Sequence, residues 1–195
     1  MTVILDRLLE WRDKNALLSK KSMLIGSFFS EIGIGILRAI VIMDTNHTIL
    51  KNNVNITNKF TKKELKRTLG FAESYKPRLK VEQKEIKLLK NLILPRKAIL
   101  SDLIQHPILL EHKAFTDLLL ATFHLAEELS YRSSVDNLPK KNINHLSLDV
   151  ERIYKLLLPE WIKYMSNLID HYPYLFSLYL RLNPFEENID VTVSC

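Results

Sequence analysis

EHKAFTDLLLATFHLAEELSYR, residues 111–132, decides the fold class. Leu118, Thr122, Leu125, Ala126 and Leu129 recur three and four positions apart, the spacing of one buried helix face, and no alternating strand pattern competes with it. Downstream, Ser133 to Lys141 with Pro139 reads as a turn, and Asn142 or Asn144 suits the cap of a further helix. That helix carries Ile153, Leu157, Trp161, Tyr164 and Leu168 on one stripe. The stripe keeps its phase across Pro159, so the proline predicts a kink and not a stop. A last helix spans Pro173 to Leu182 and ends before Pro184, and the tail from Glu186 to Cys195 reads as loose, with Val191 to Val193 extended.

Upstream, Leu5, Leu8, Leu9, Trp11 and Arg12 open an amphipathic helix that runs to about Lys20. Ser22 to Met43 is the most apolar segment and is long enough to cross a bilayer. Glu31 and Arg38 argue against a span, because each charge would cost about 2.5 to 3.5 kcal/mol at a membrane centre; the expectation is a buried or peripheral helix. Gly33-Ile34-Gly35 permits either close helix contact or a kink. Asp44 to Asn58 lacks a helical period and reads as a loop with room for one short extended piece. Thr61-Lys62-Lys63-Glu64 matches a capping box, predicting a helix from Lys62 to about Tyr75. Pro77, Pro95 and Pro107 then bound helices over Val81 to Leu94 and Arg96 to Gln105.

Only 4 glycines occur in 195 residues, too few for many hairpin turns. The reading is all-α: one helical bundle of about seven to eight helices over residues 1–185, several of them proline-kinked. The single cysteine, Cys195, excludes an intrachain disulfide and a cysteine-ligated zinc cluster, and suits a reducing, intracellular setting. Met1 leads into Asp6, Arg7, Glu10 and Arg12 without the pattern of a secretory signal, so the sequons at Asn46 and Asn55 read as accidental.

Charge divides the chain. Residues 1–100 hold 20 Lys and Arg against 9 Asp and Glu, while residues 101–195 hold 8 against 13. The stretch from Lys51 to Lys97 would project a positive field, with Lys62, Lys63, Lys66 and Arg67 as candidates to face anionic lipid, another anion, or the chain's own acidic half. Nucleic acid is disfavoured, since this stretch holds only Phe60, Phe71 and Tyr75 as aromatics and no recognised binding spacing.

The distinctive polar residues fall in the second half. Asp117, His124, Glu128 and Arg132 lie within about 80° on one helix, and His145, Asp149 and Arg152 align on the next. Histidines and carboxylates on facing helices are the parts of a bundle metal site. The same residues equally make a structural network, with Asp117 or Glu128 orienting His124 and Glu128 pairing with Arg132. The di-iron Glu-x-x-His pair, the zincin motif, the nucleophile elbow and phosphate-binding glycine loops are absent, and no cofactor is expected. Tyr172, Tyr174, Phe176 and Tyr179 concentrate aromatic surface that suits core or a partner groove.

HPILLEHKAFTDLLLATFHLAEELSYR, NHLSLDVERIY, EWIKYMSNL and YPYLFSLYLRLNPF resemble a family of uncharacterised archaeal and bacterial proteins. Some of its relatives are labelled ion channel or two-pore potassium channel proteins. The resemblance spans about residues 101–185 and implies a cytoplasmic accessory or regulatory domain. Its departure is the lack of a Thr-x-Gly-Tyr-Gly filter and of paired spanning helices. The functional expectation is a non-enzymatic interaction domain, with a protein partner or second copy and peripheral membrane contact. The alternative is a metal-dependent enzyme using His124, Glu128, His145 and Asp149.

Overall fold

The computed structural model describes residues 2–54, 56–57 and 60–186, with side chains in the first helix from Arg7 onward except Leu8. The expected extended piece at Val191 to Val193 therefore lies outside the described residues, as do the side chains of Leu5 and Leu8 in the opening stripe.

Helices run in the order α1 (Thr2–Phe28), a π-helical turn (Phe29–Gly33), α2 (Ile34–Met43), α3 (His47–Asn53), α4 (Lys62–Ser74), α5 (Gln83–Ile93), a 3-10 turn (Leu94–Arg96), α6 (Lys97–Ile104), α7 (Pro107–Leu110), α8 (Lys113–Ser130), α9 (Lys140–His171) and α10 (Pro173–Arg181). The fold is an all-α helical bundle, and among the described residues eight α-helices have eight residues or more and none forms a strand.

At 32 residues α9 is about 48 Å long, and α1, α2, α4, α5, α8 and α10 all pack on it. Its expected stripe is wholly buried, as is that of α8. Pro159 removes the amide that would donate to the Lys155 carbonyl, yet the helix continues through it. One cluster of buried apolar side chains extends from Phe28 to Phe185.

Four local expectations change. The two apolar helices of the first 43 residues are one rod, broken only by the π turn, which lets the adjacent Phe28 and Phe29 both enter the core. Phe28 packs edge-on against Phe115, and Phe29 stacks on Tyr164 at 4.8 Å between centroids. Gly33 sits where a Cβ would come within 2.7 Å of the Phe28 ring. The rod is long and apolar enough to span a membrane, and half of its most apolar window is buried by the bundle. Arg38 is explained by donation to the Leu182 and Asn183 carbonyls beyond α10, at 3.1 and 3.4 Å, and burial lowers its pKa.

The segment expected to be a loop contains α3. Seven residues are too few to show a period, and the helix is held by Leu50 in the core and by Asp44 before it. Buried Asp44 accepts the Asn46 and Arg78 amides on Oδ1 at 3.0 and 3.1 Å and the Tyr75 hydroxyl on Oδ2 at 2.7 Å. Partial burial, with that bond, raises the Tyr75 pKa. The start of α9 also moves: Pro139 is its first flanking residue, so Asn142 and Asn144 lie inside the helix and cap nothing. Instead Asn137 turns the chain with φ of 62°, a left-handed geometry asparagine tolerates. Last, Pro107 opens a separate short turn, α7, before α8 begins. The capping box is as expected, with Glu64 donating its amide to Thr61 Oγ1 at 3.2 Å and the Thr61 amide donating to Glu64 Oε2 at 2.7 Å.

Two glycines make opposite tests of this packing. Gly33→Ala should cost about 1–3 kcal/mol by overpacking the phenylalanine pair. Gly70→Ala, with nothing near its Cβ direction, should gain about 0.5–1 kcal/mol from helix propensity. Urea unfolding of both variants checks the pair.

Candidate functional site

Helices α8 and α9 run antiparallel through the turn at residues 131–139, and that register brings two i,i+4 pairs face to face. His124 and Glu128 come from α8; His145 and Asp149 come from α9. His124 Nε2 and His145 Nε2 each stand 3.7 Å from the same atom, Asp149 Oδ2, and His145 Nε2 stands 4.0 Å from Glu128 Oε1. Each carboxylate gives its other oxygen to an arginine of its own helix. Arg132 donates to Glu128 Oε2 at 2.6 Å and to the Glu128 backbone carbonyl, while Arg152 donates to Asp149 Oδ1 at 3.1 Å.

Asp149 is only 3% exposed, and its Oδ2 is buried without a hydrogen-bond partner, whereas both histidines are about half exposed. A buried carboxylate thus meets two imidazoles at the surface of the bundle. Asp117 does not join them. It is exposed on α8 and makes no hydrogen bond or ion pair among the described residues, so the carboxylate facing His124 is Asp149. The other members of the sequence-derived set converge as two ribbons.

The spacing is wide for a metal ion. Donors about 2.0–2.2 Å from one tetrahedral ion lie roughly 3.3–3.6 Å apart, shorter than the 3.7 and 4.0 Å here. Among the described residues no three His, Cys, Asp or Glu groups are placed to hold one.

The basic first half finds much of its counter-charge within the chain. Lys51 pairs with Glu186 at 2.8 Å, Lys62 with Asp170 at 3.4 Å, Lys87 with Asp136 at 3.0 Å and Lys97 with Glu127 at 2.6 Å. Each exposed pair contributes about 0–1 kcal/mol, and together they join the two halves. Lys63, Lys66 and Arg67 stay exposed on α4 without an ion pair among the described residues.

Of the four aromatics considered for a partner surface, Phe176 and Tyr179 are core residues, and Tyr179 packs edge-on against Tyr164. The 3.6-residue period of α10 turns them inward. Tyr172 is half-buried, its hydroxyl 3.4 Å from Ser19 Oγ, and Tyr174 is 70% exposed. Sequence reasoning missed two surfaces: the uncovered first part of α1, and the polar cleft at His112, Glu160 and Lys163. The lone acidic residue beside Pro159 on an apolar stripe was the available signal for the second.

These features define an all-helical domain with a polar histidine and carboxylate seam between α8 and α9. A family described as "Uncharacterized protein MJ1433, C-terminal helical domain" matches residues 17–181, and the chain belongs to that family. Uncharacterized protein MJ1433 of Methanocaldococcus jannaschii is 39% identical over 186 residues, which cover 95% of this chain and 74% of the relative. No solved structure matches. The resemblance read from the second half thus holds as an uncharacterised helical-domain family, and ion-channel relatives are not among what these matches show.

Glu128 makes the seam testable. The Arg132 hydrogen bond holds its pKa below the ordinary 4.5, against an upward push from burial, with Arg132 and the two histidines adding smaller downward pulls. A depressed carboxylate stabilises above its unfolded pKa and loses that stability as pH falls through the folded value. Glu128→Gln should therefore be less stable than wild type near neutrality, with the gap closing as pH falls from about 7 to about 3. Urea unfolding across that range checks it; a constant gap would contradict the assignment.

Proposed function

We propose that the chain is an intracellular, non-enzymatic interaction domain whose docking element is the uncovered first part of α1, and that its occupant is a second copy of the chain. One observation carries this reading. Every described residue from Arg7 to Lys20 is exposed, including Leu9, Trp11, Leu17 and Leu18, with Trp11 at 65%.

A helix in water draws most of its stability from burying one face, and about 14 residues are marginal alone. Continuity with the packed end of α1 sustains this stretch, while its apolar side chains lack cover. The charges favour a protein helix over a lipid surface. Arg7, Glu10, Arg12, Asp13, Lys14 and Lys20 mix both signs, four basic against two acidic, so an antiparallel second copy can set acidic groups against basic ones. An anionic membrane would favour a single positive sign. The lone Cys195 is compatible with a reducing compartment.

Light scattering coupled to size exclusion tests the reading. Wild type should pass with rising concentration from 22.8 kDa toward about twice that mass, and Leu9→Asp with Trp11→Asp should stay monomeric with unchanged circular dichroism and Tm. A wild type monomeric at every concentration, or a dimer indifferent to both substitutions, would overturn it. A monomer that binds anionic vesicles would do the same.

A further inference from the structure

One cavity of about 480 Å³ opens where the end of α2, helix α3 and the chain beyond α10 meet. Arg38 and Ile42 line it from α2, His47 and Lys51 from α3, and Phe185 and Glu186 from the far side.

Arg38 is part-buried on a helix that is otherwise apolar, and its bonds occupy only some of its donors. Nη2 donates to the Leu182 and Asn183 carbonyls at 3.1 and 3.4 Å. Nε is buried with no hydrogen-bond partner, and Nη1 makes no hydrogen bond among the described residues. Arg38 also forms no ion pair among those residues, so its charge is set against backbone dipoles alone. A guanidinium fork with unused N–H groups and no counter-ion is the usual partner of a carboxylate.

The other charges at the cavity cancel. Lys51 Nζ stands 2.8 Å from Glu186 Oε2, which leaves the lining with one positive charge in excess, that of Arg38. His47 adds no negative charge, and its Nδ1 donates to the Asp44 carbonyl at 3.0 Å.

The remaining wall is apolar. Ile42 is 75% exposed although its neighbours Val41 and Met43 are buried. Phe185 is held in place by its amide, which donates to Asn183 Oδ1 at 3.1 Å, and by its ring, edge-on to Trp161 at 5.2 Å. Arg38 and Ile42 are one helical turn apart on the same face of α2, so the cation and the exposed apolar side chain border a single space. A mostly apolar cavity with one placed charge is the form of a small-molecule site.

We propose that this cavity binds a small monocarboxylate with an aromatic or branched hydrocarbon end, its carboxylate on Arg38 and its hydrocarbon against Ile42 and Phe185. The cavity shares no residue with the exposed stretch of α1, so this proposal and the docking of a second copy fail separately.

Amide NMR of the full chain, titrated with 3-phenylpropionate and with 3-phenylpropanol, tests it. The acid should saturate at one per chain, with shifts concentrated at residues 38–51 and 182–186, and bind at least about tenfold tighter than the alcohol, a difference a charged hydrogen bond supplies. Arg38→Gln should weaken the acid about tenfold or more and leave the alcohol unchanged. Ile42→Ser, at an exposed position that the fold does not need, should weaken both about fivefold. Should Arg38→Gln lose its fold with the α10 contacts, the wild-type preference for the acid and the Ile42→Ser loss still decide. No saturable shifts, shifts centred elsewhere, equal affinity for acid and alcohol, or a preference that survives in folded Arg38→Gln would overturn the proposal.

Discussion

The apolar stripe of α9, from Ile153 through Leu157, Trp161 and Tyr164 to Leu168, is the surface on which the remaining helices depend. A helix of that length with one wholly apolar face must be covered along it, because each large side chain left in water would cost about 1.5–3 kcal/mol. α8 covers it from one side, α4 and α5 from another, and the end of the α1 rod with α2 and α10 completes the shell. Phe28, Phe29 and Phe115 interlock at this junction, and the π turn exists there because two adjacent phenylalanines must face the same way.

Once α9 is fixed, the polar residues have few choices left. The antiparallel register with α8 sets Glu128 across from His145 and His124 across from Asp149, and each carboxylate is steadied by an arginine of its own helix. The seam is therefore a consequence of packing as much as a site. The charge imbalance between the halves resolves the same way: lysines of the first half close on acidic groups of the second, so the formal +6 understates how much of the surface is locally neutral.

The helical class was legible because the stripes of α8 and α9 repeat over many turns, and the Thr61 capping box marked its helix start correctly. What escaped was everything set between elements. α3 is too short for a helical period to show, and it is organised by Asp44 reaching Arg78 and Tyr75 some thirty residues on. Asp117 shared a helical face with His124, but sequence does not give interhelical register, and carrying the observed register along α8 brings Leu156 across from Asp117. Phe176 and Tyr179 sat in an aromatic-rich segment whose helical phase, not its composition, decided that they are core.

The uncovered stretch of α1 stands apart from this economy: a rod held at one end by the core and bare at the other. Amide hydrogen exchange on the full chain measures that contrast directly. In dilute protein, residues 7–20 should exchange far faster than the core face of α9, the slowest region, and raising the concentration should protect residues 7–20 alone. Protection of that stretch equal to α9 in the dilute monomer, or no gain on concentration, would contradict the account.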